Sequence, residues 1–188
     1  MKKKMLMLAV AAMTMTAANA QKGSFLLAGS VGYEKSGAED SDTKTYTFNP
    51  KVGYQITDHV TLGAESLLSR IDEEATDTQS NEYKIGGFVR YAQPLGGPFS
   101  IYGDLGSGYQ RKQEETHDIN DKYTTADGFY IGFTPALSVD FHAGLALNVS
   151  IGGIGYNQYD YDDIDVKESG FNIDLGKSIS VGISKNFR

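Results

Sequence analysis

Apolar and polar residues alternate along most of this chain. From Tyr46 to Ile56, every even-numbered position except Pro50 is apolar or aromatic, and the odd-numbered positions are polar or glycine. The segment 171–187 repeats the pattern, with apolar odd positions interrupted only by Lys177 and Lys185. Side chains alternate between the two faces of a β-strand, so this pattern predicts strands with one apolar and one polar face.

Eight segments of the chain carry this alternation, and each is close to the roughly 9–11 residues that a tilted transmembrane strand needs. They predict an all-β fold, a closed antiparallel up-and-down transmembrane β-barrel of eight strands. Pro50 and Pro135 each remove a ladder donor, so we expect them at a bulge or near a strand end. The predicted strands lie near 24–34, 46–56, 60–70, 82–93, 99–110, 127–140, 143–157 and 171–187.

The predicted connections alternate in length. Short turns fall near 57–59, 93–98 and 141–142, whereas polar loops fall near 35–45, 71–81, 111–126 and 158–168. Short periplasmic turns opposite four longer extracellular loops are the expected asymmetry of an outer-membrane barrel.

Alternation alone does not say which face meets lipid, so a soluble lipocalin-like barrel with an apolar interior is the alternative. The polar face carries charged residues in mid-strand among Gly, Ser, Thr and Asn, which suits a narrow polar lumen. These predicted lumen residues are Lys51, Glu65, Lys84, Arg90, Asp104 and Asp174.

The apolar face ends in aromatic residues on both sides, which is typical of the two interfaces of a membrane. The turn side has Phe25, Tyr54, Tyr91, Phe99 and Phe187, and the loop side has Tyr33, Tyr46, Tyr83, Tyr109, Phe129 and Phe171. This arrangement favours the membrane barrel over the soluble one.

The first twenty residues predict an export signal. A basic start at Lys2, Lys3 and Lys4 precedes a short apolar stretch and an Ala18-Asn19-Ala20 cleavage site. We therefore expect residues 1–20 to be removed and residues 21–188 to form a single outer-membrane β-barrel domain. The chain has no cysteine, so neither a disulfide nor a lipid-bearing cysteine is expected.

The mature region is acidic. The 24 acidic residues exceed the 14 basic residues left when the three signal lysines are taken from 17, which gives a net charge of −10. This balance argues against nucleic acid as a partner. The predicted loops hold most acids, as a solvated surface or as a protein-binding surface. Tyr159–Asp165 lacks the calcium-loop spacing, because Ile164 stands where a ligand belongs, and no metal or cofactor is predicted.

The chain resembles the OmpA-like and OmpX-like eight-stranded outer-membrane barrels over its mature length. The resemblance rests on the strand-turn-strand segment 50–63 and on a last strand that ends at Phe187, followed by Arg188. It implies a monomeric barrel without a further domain, contacting outer-membrane lipid and lipopolysaccharide, with surface loops open to an extracellular protein or other ligand. In such proteins the terminal aromatic, here Phe187, looks like the signal read by the barrel-assembly machinery.

Two interpretations of the lumen remain open. Opposite charges could pair and plug it, or they could line a narrow path for ions or small solutes. A lipid-modifying enzyme is disfavoured, because His59 and His142 fall in short turns and His117 lies in a loop without a spaced serine. The sequence therefore favours a structural or adhesive surface barrel, with a small porin-like channel as the alternative.

Overall fold

The computed structural model describes residues 22–38, 41–73, 78–116, 122–161, 166–176 and 178–187. The predicted export signal, His117, residues 162–165, Lys177 and Arg188 lie outside the described residues. The described part of the chain contains ten strands and no helix. They are β1 (Phe25–Ala38), β2 (Ser41–Gln55), β3 (Val60–Glu73), β4 (Thr78–Gly96), β5 (Phe99–Thr116), β6 (Lys122–His142), β7 (Leu145–Ser150), β8 (Ile154–Tyr161), β9 (Val166–Ile173) and β10 (Ser180–Phe187).

The strand pairings form a ring. Each of β1 to β6 pairs antiparallel with the next, β6 pairs with both β7 and β8, and β10 pairs with β7 and returns to β1. Strand β9 pairs with β8. The ring therefore has eight walls, of which the seventh is β7 with β8 and the eighth is β9 with β10. The predicted antiparallel up-and-down β fold is confirmed, but two walls are interrupted.

The interruption of the seventh wall faces a proline. The β6–β7 ladder ends at Ala136↔Ser150 and the β6–β8 ladder begins at Phe133↔Ile154, so Pro135 lies opposite residues 151–153, which belong to neither ladder. Proline has no N–H to donate to this ladder. Pro135 is thus at an irregularity, as predicted.

Pro50 behaves differently from Pro135. It lies in the middle of β2, opposite Gly29 of β1, and the ladder to β3 omits positions 49 and 50 without changing register. The expectation of a bulge or strand end is wrong here, because a skipped ladder position suffices to accommodate the missing donor.

The prediction of long loops is wrong over most of the residues concerned, because the strands continue through them. β4, β5 and β6 have 19, 18 and 21 residues. β5 continues seven residues past Tyr109, which adds about 23 Å of strand at roughly 3.3 Å per residue. Polar, charged sequence is typical of loops, but in these segments the neighbouring strands supply the backbone hydrogen bonds.

The two faces of the wall have opposite polarity. Val31 and Ile85 on the outside are 62% and 64% exposed, whereas Asp104 and Gln110 inside are 4% and 0% exposed. This excludes the soluble alternative, whose interior would be apolar. Nowhere in the described ranges is a helix long and apolar enough to cross a membrane.

Aromatic pairs mark both ends of the apolar outer face. Phe25 lies opposite Tyr54 with ring centroids 5.1 Å apart, and Tyr33 lies opposite Tyr46 at 5.3 Å. The nine residues from Phe25 to Tyr33 match the roughly 9–11 that a tilted strand needs to cross a bilayer. We call the side of the short turns the turn side and the opposite side the loop side.

Candidate functional site in the barrel lumen

Four charged side chains meet in the lumen as two cross-strand pairs. Lys51 of β2 lies opposite Glu65 of β3, with Nζ 2.7 Å from Oε2. Arg90 of β4 lies opposite Asp104 of β5, with Nε 2.7 Å from Oδ1 and Nη2 2.9 Å from Oδ2. All four side chains point inward because the alternation of the strands places them on the polar face.

The two pairs are joined across the lumen. Lys51 Nζ also lies 2.9 Å from Asp104 Oδ2, so one ammonium group binds both carboxylates. The hydroxyl of Tyr130 on β6 donates to Glu65 Oε1 at 3.0 Å. We call these four charged residues the lumen cluster. Together with Tyr130 it ties five of the eight walls, and its formal charges cancel, which favours pairing over isolated burial.

Aromatic rings cover the cations of the lumen cluster. The guanidinium carbon of Arg90 lies 3.8 Å from the ring centroid of Tyr102, and Lys51 Nζ lies 5.0 Å from that of Phe88. Both distances are within the range of cation–π attraction. Phe88 itself packs where Gly53 and Gly63 leave room, since a Cβ at Gly63 would lie 2.6 Å from its ring. The cluster is thus packed as well as paired.

Gly106 makes space for the carboxylate that crosses the lumen. A Cβ at this position would lie 2.0 Å from Glu65 Oε1, the oxygen that accepts from Tyr130. A larger residue at position 106 would displace Glu65 from its two partners.

The structure places Lys84 and Asp174 outside the lumen cluster. Lys84 Nζ lies 3.3 Å from Glu82 Oε1 and donates to Asn157 Oδ1 at 3.1 Å, nearer the loop side. Asp174 lies just after β9 and accepts from Asn172 at 2.6 Å. Of the six predicted lumen residues, four therefore meet and two join a separate polar group.

The wall opposite the lumen cluster is lined by small polar side chains. Asn148 on β7 donates to Ser184 on β10 at 2.9 Å. A cavity of about 150 Å³ lies between this wall and the cluster, with one of about 100 Å³ on the turn side and one of about 310 Å³ on the loop side. Among the described residues, the side-chain oxygens of Asn49 and Asn148, which line the middle cavity, have no hydrogen-bond partner.

The sequence analysis missed the inward-facing aromatic residues. Phe88 has the same parity as Lys84 and Arg90, Tyr102 that of Asp104, and Tyr130 that of Thr134. Parity therefore already assigned them to the lumen. The sequence analysis did not use this parity, because it expected aromatic residues to face the lipid.

Comparison with known proteins agrees with this architecture. Residues 5–180 match the model of the outer membrane protein beta-barrel domain family. The chain belongs to this family. Its members lie in the outer membrane, so the apolar face contacts lipid, and the family gives no positive sign of catalysis.

A solved structure shows the same fold. Neisserial surface protein A is 16% identical, with 87% of this chain and 97% of that one covered and a TM-score of 0.59. Ail, the attachment invasion locus protein of Yersinia pestis, is 15% identical, with 89% and 100% covered and a TM-score of 0.48. No curated protein sequence matches the chain.

In this barrel-domain protein, the strands that continue past the loop-side aromatic ring form an edge on the loop side, which we call the rim. The rim carries ion pairs and tyrosine–carboxylate hydrogen bonds. Arg111 Nε lies 2.8 Å from Asp127 Oδ1, and the hydroxyl of Tyr109 donates to the same oxygen. The hydrogen bond from Tyr109, followed by those and the charge of Arg111, holds the pKa of the Asp127 carboxyl below its usual range.

A second tyrosine–carboxylate pair of the rim joins β8 to β9. The hydroxyl of Tyr161 donates to Glu168 Oε2 at 2.8 Å. Burial, followed by this bond to a carboxylate, raises the pKa of Tyr161 to about 12. Lys167 and Asp160 pair beside it at 3.0 Å. Acidic side chains of the rim are thus held in place by the strands.

No metal-binding group of three His, Cys, Asp or Glu occurs in the part of the chain that the structure describes. His59 lies in the short turn after β2, where Nδ1 is 3.0 Å from the carbonyl oxygen of Ala92 and the ring stacks on Tyr91. His142 ends β6. His59 lies in the predicted turn, whereas His142 still pairs with Leu145, so this turn is at 143–144 and not at the predicted 141–142. Both residues lie on the turn side, opposite the rim.

Proposed function

We propose that this protein is a non-conducting outer-membrane anchor that presents the rim at the cell surface. The observation that carries the proposal is the lumen cluster. Each of its two carboxylates binds two partners, and its cations lie against Tyr102 and Phe88. A hydrated ion would have to displace charges that already satisfy one another, so the cluster acts as a plug.

A lumen that does not conduct leaves the rim as the part of the protein that can contact other molecules. The rim is built from strands rather than loops, and it carries ordered acidic side chains such as Asp127, Asp160 and Glu168. Tyr161 lies among them and offers contact area at low entropic cost. These features support contact with an extracellular protein or with lipopolysaccharide, or a contribution to envelope integrity.

Three further elements belong to this proposal. Residues 1–20 are removed on export and residues 21–188 form the single domain. Phe187, which lies opposite Phe25 at the end of the last wall, is the aromatic read by the barrel-assembly machinery. The ring of pairings needs no second copy to close, which supports a monomer.

Conductance in a planar bilayer tests the plug. We expect the refolded protein to be silent, and the double variant Arg90→Ala with Asp104→Ala to give reproducible current steps, because removing both partners opens the lumen without leaving an unpaired charge. The matched control removes the exposed pair Arg111 and Asp127 by the same substitutions and should stay silent. Steps in the unaltered protein, or a silent but folded lumen variant, would contradict the plug.

A small ion channel is the second candidate. The middle cavity of about 150 Å³ beside the lumen cluster favours it, since Asn49 and Asn148 present unpartnered oxygens there and a polar cavity of this size holds water. In that case the unaltered protein conducts, and the variant at Arg90 and Asp104 changes the size of the steps rather than their presence.

An experiment in cells distinguishes adhesion from envelope integrity. A deletion strain would be complemented with the natural chain and with a variant that carries Asp127→Asn, Asp160→Asn and Glu168→Gln. If the variant restores resistance to detergent but not surface binding, the rim carries the interaction. If neither chain changes binding, the barrel serves the envelope alone.

A further inference from the structure

The inward-facing side chains divide the lumen into two unlike halves. The lumen cluster and the rings of Phe88 and Tyr102 project from β2 to β5. On β1, β7 and β10, the inward-facing positions are the even-numbered residues of 26–32, 146–150 and 180–186. These positions carry no charge, and only Leu26 among them is larger than asparagine. We call these three stretches the uncharged half of the lumen.

Three cavities follow the uncharged half from one end of the barrel to the other. Ala146 and Ser184 line the turn-side cavity of about 100 Å³, and Asn148 lines the middle cavity of about 150 Å³. Ser150 and Ser180 line the loop-side cavity of about 310 Å³. Each cavity exceeds the roughly 10–15 Å³ that one water molecule needs. The small side chains of these strands therefore leave room for water beside the lumen cluster.

Neighbouring cavities meet at shared lining residues. Arg90 and Tyr102 line both the turn-side cavity and the middle cavity. Ser150, Ser180 and Thr134 of β6 line both the middle cavity and the loop-side cavity. The three cavities are thus adjacent in sequence along the barrel axis, and the lumen cluster borders the column from one side without filling it.

The polar atoms of the column suit water. Asn148 is 7% exposed, and its amide nitrogen donates to Ser184, which is 4% exposed. The side-chain oxygens of Asn148 and Asn49 face the middle cavity with no partner among the described residues. A buried carbonyl oxygen is stabilised when a donor reaches it, and water in a polar cavity supplies that donor. Serine hydroxyls both donate and accept, so they can pass hydrogen bonds from one water to the next.

We propose that the uncharged half of the lumen carries a narrow path for water past the lumen cluster, and that ions do not follow the water. Hydroxyl and amide groups replace the hydrogen bonds that a water molecule gives up on entry. An ion would lose its hydration shell and meet no unpaired opposite charge, because the cations and carboxylates of the cluster already bind one another. The exclusion of ions rests on the proposed plug, whereas the water path does not.

Osmotic shrinkage of lipid vesicles tests the water path. Phosphatidylcholine vesicles with and without the refolded protein would be mixed rapidly with sucrose and followed by light scattering, and the same preparation would be examined for conductance in a planar bilayer. We expect faster shrinkage than in protein-free vesicles, together with no current steps. Equal shrinkage rates would overturn the water path even if the plug holds. Current steps would overturn the exclusion of ions, and the plug with it.

Matched variants locate the path. Ser150→Phe places a ring where the middle and loop-side cavities meet, so the excess rate of shrinkage should be lost. Val149→Phe is the control, because the neighbouring Val149 lies opposite Val181 on the outer face and lines none of the three cavities. It should keep the excess rate.

Circular dichroism of each variant confirms that the barrel has formed. If Ser150→Phe does not fold, Asn148→Leu takes its place, since it keeps a similar size and removes the hydrogen bonds that water needs in the middle cavity. Most of the excess rate should then be lost. An excess rate that persists in both cavity variants, or that Val149→Phe also loses, would overturn the proposal.

Discussion

Two arginine–aspartate pairs of similar geometry lie in different surroundings. Arg90–Asp104 joins β4 to β5, and Arg111–Asp127 joins β5 to β6, with Nε–Oδ1 distances of 2.7 and 2.8 Å. The side chains of the first pair are 9% and 4% exposed, and those of the second 45% and 34%. The chain thus uses the same kind of ion pair in the buried lumen and at the exposed rim.

The surroundings decide what each pair contributes. In the lumen, water screens the charges less than it does at the surface, so losing one partner leaves an unpaired buried charge. At the rim, solvent screens both charges and the net gain is small. Comparing the two pairs therefore separates the effect of burial from that of geometry.

The largest effect is expected from Asp104→Ala. The substitution leaves Arg90 buried without a carboxylate and removes one partner of Lys51, which should cost about 3–5 kcal/mol of unfolding free energy. Urea unfolding followed by far-UV circular dichroism measures it. A loss no greater than that of Asp127→Ala would show that burial does not distinguish the two pairs.

A smaller loss is expected from Gly106→Ala, which removes no charged group. Its methyl group would collide with Glu65 Oε1, so Glu65 must leave Tyr130, at a cost of about 1–3 kcal/mol typical of overpacking. The same unfolding assay applies. Gly170→Ala is the control, because a Cβ there meets nothing within 4 Å; equal costs at both sites would contradict the crowding argument.

Replacing the whole buried pair should cost less than breaking it. In Arg90→Met with Asp104→Leu, Lys51 and Glu65 still neutralise each other, and apolar replacement of buried ion pairs is often close to neutral. We expect a double-mutant cycle to show strong coupling in the lumen and coupling of roughly 1 kcal/mol or less at Arg111 and Asp127. Additive single effects at Arg90 and Asp104 would refute this.

The smallest effect is expected at the rim, and it depends on pH. Because the pKa of Asp127 is lowered in the folded state, its stabilisation is present above the unfolded pKa of about 3.9 and is lost as pH falls through the folded pKa. Unfolding of the natural chain and of Asp127→Asn should therefore differ by roughly 1 kcal/mol or less at pH 7 and converge below about pH 4. A difference that persists in acid would contradict the role of this ionisation.

Alternation was sufficient to predict the barrel, its polarity and four of the charges that meet. Lys51, Glu65, Arg90 and Asp104 share the inward face of neighbouring strands, so parity alone brings them to one lumen. Asp174 has the same parity relative to its segment, and its N–H donates to the carbonyl oxygen of Gly153 in the neighbouring wall, but its side chain borders the loop-side cavity and not the lumen cluster. Alternation predicts which face a residue occupies but not its depth along the barrel, so it did not separate Lys84 and Asp174 from the other four.

The rim was mistaken for loops for a different physical reason. Past Tyr109 the strands leave the membrane, so neither face must be apolar and the alternation that identifies a strand fades. The backbone hydrogen bonds continue nevertheless, from Gln110↔Gly128 to Thr116↔Lys122. The extension of β5 therefore depends on its hydrogen bonds to β6, which the sequence of β5 alone does not reveal.

The neutrality of the lumen cluster also determines how the barrel responds to an electric field. Work done by a transmembrane voltage is proportional to the net charge that moves through it. The cluster has two cations and two anions, and the ammonium group of Lys51 contacts both carboxylates. Displacing the cluster as a unit moves no net charge, so the voltage does no work on it. We therefore expect the proposed plug to stay closed when the membrane potential changes.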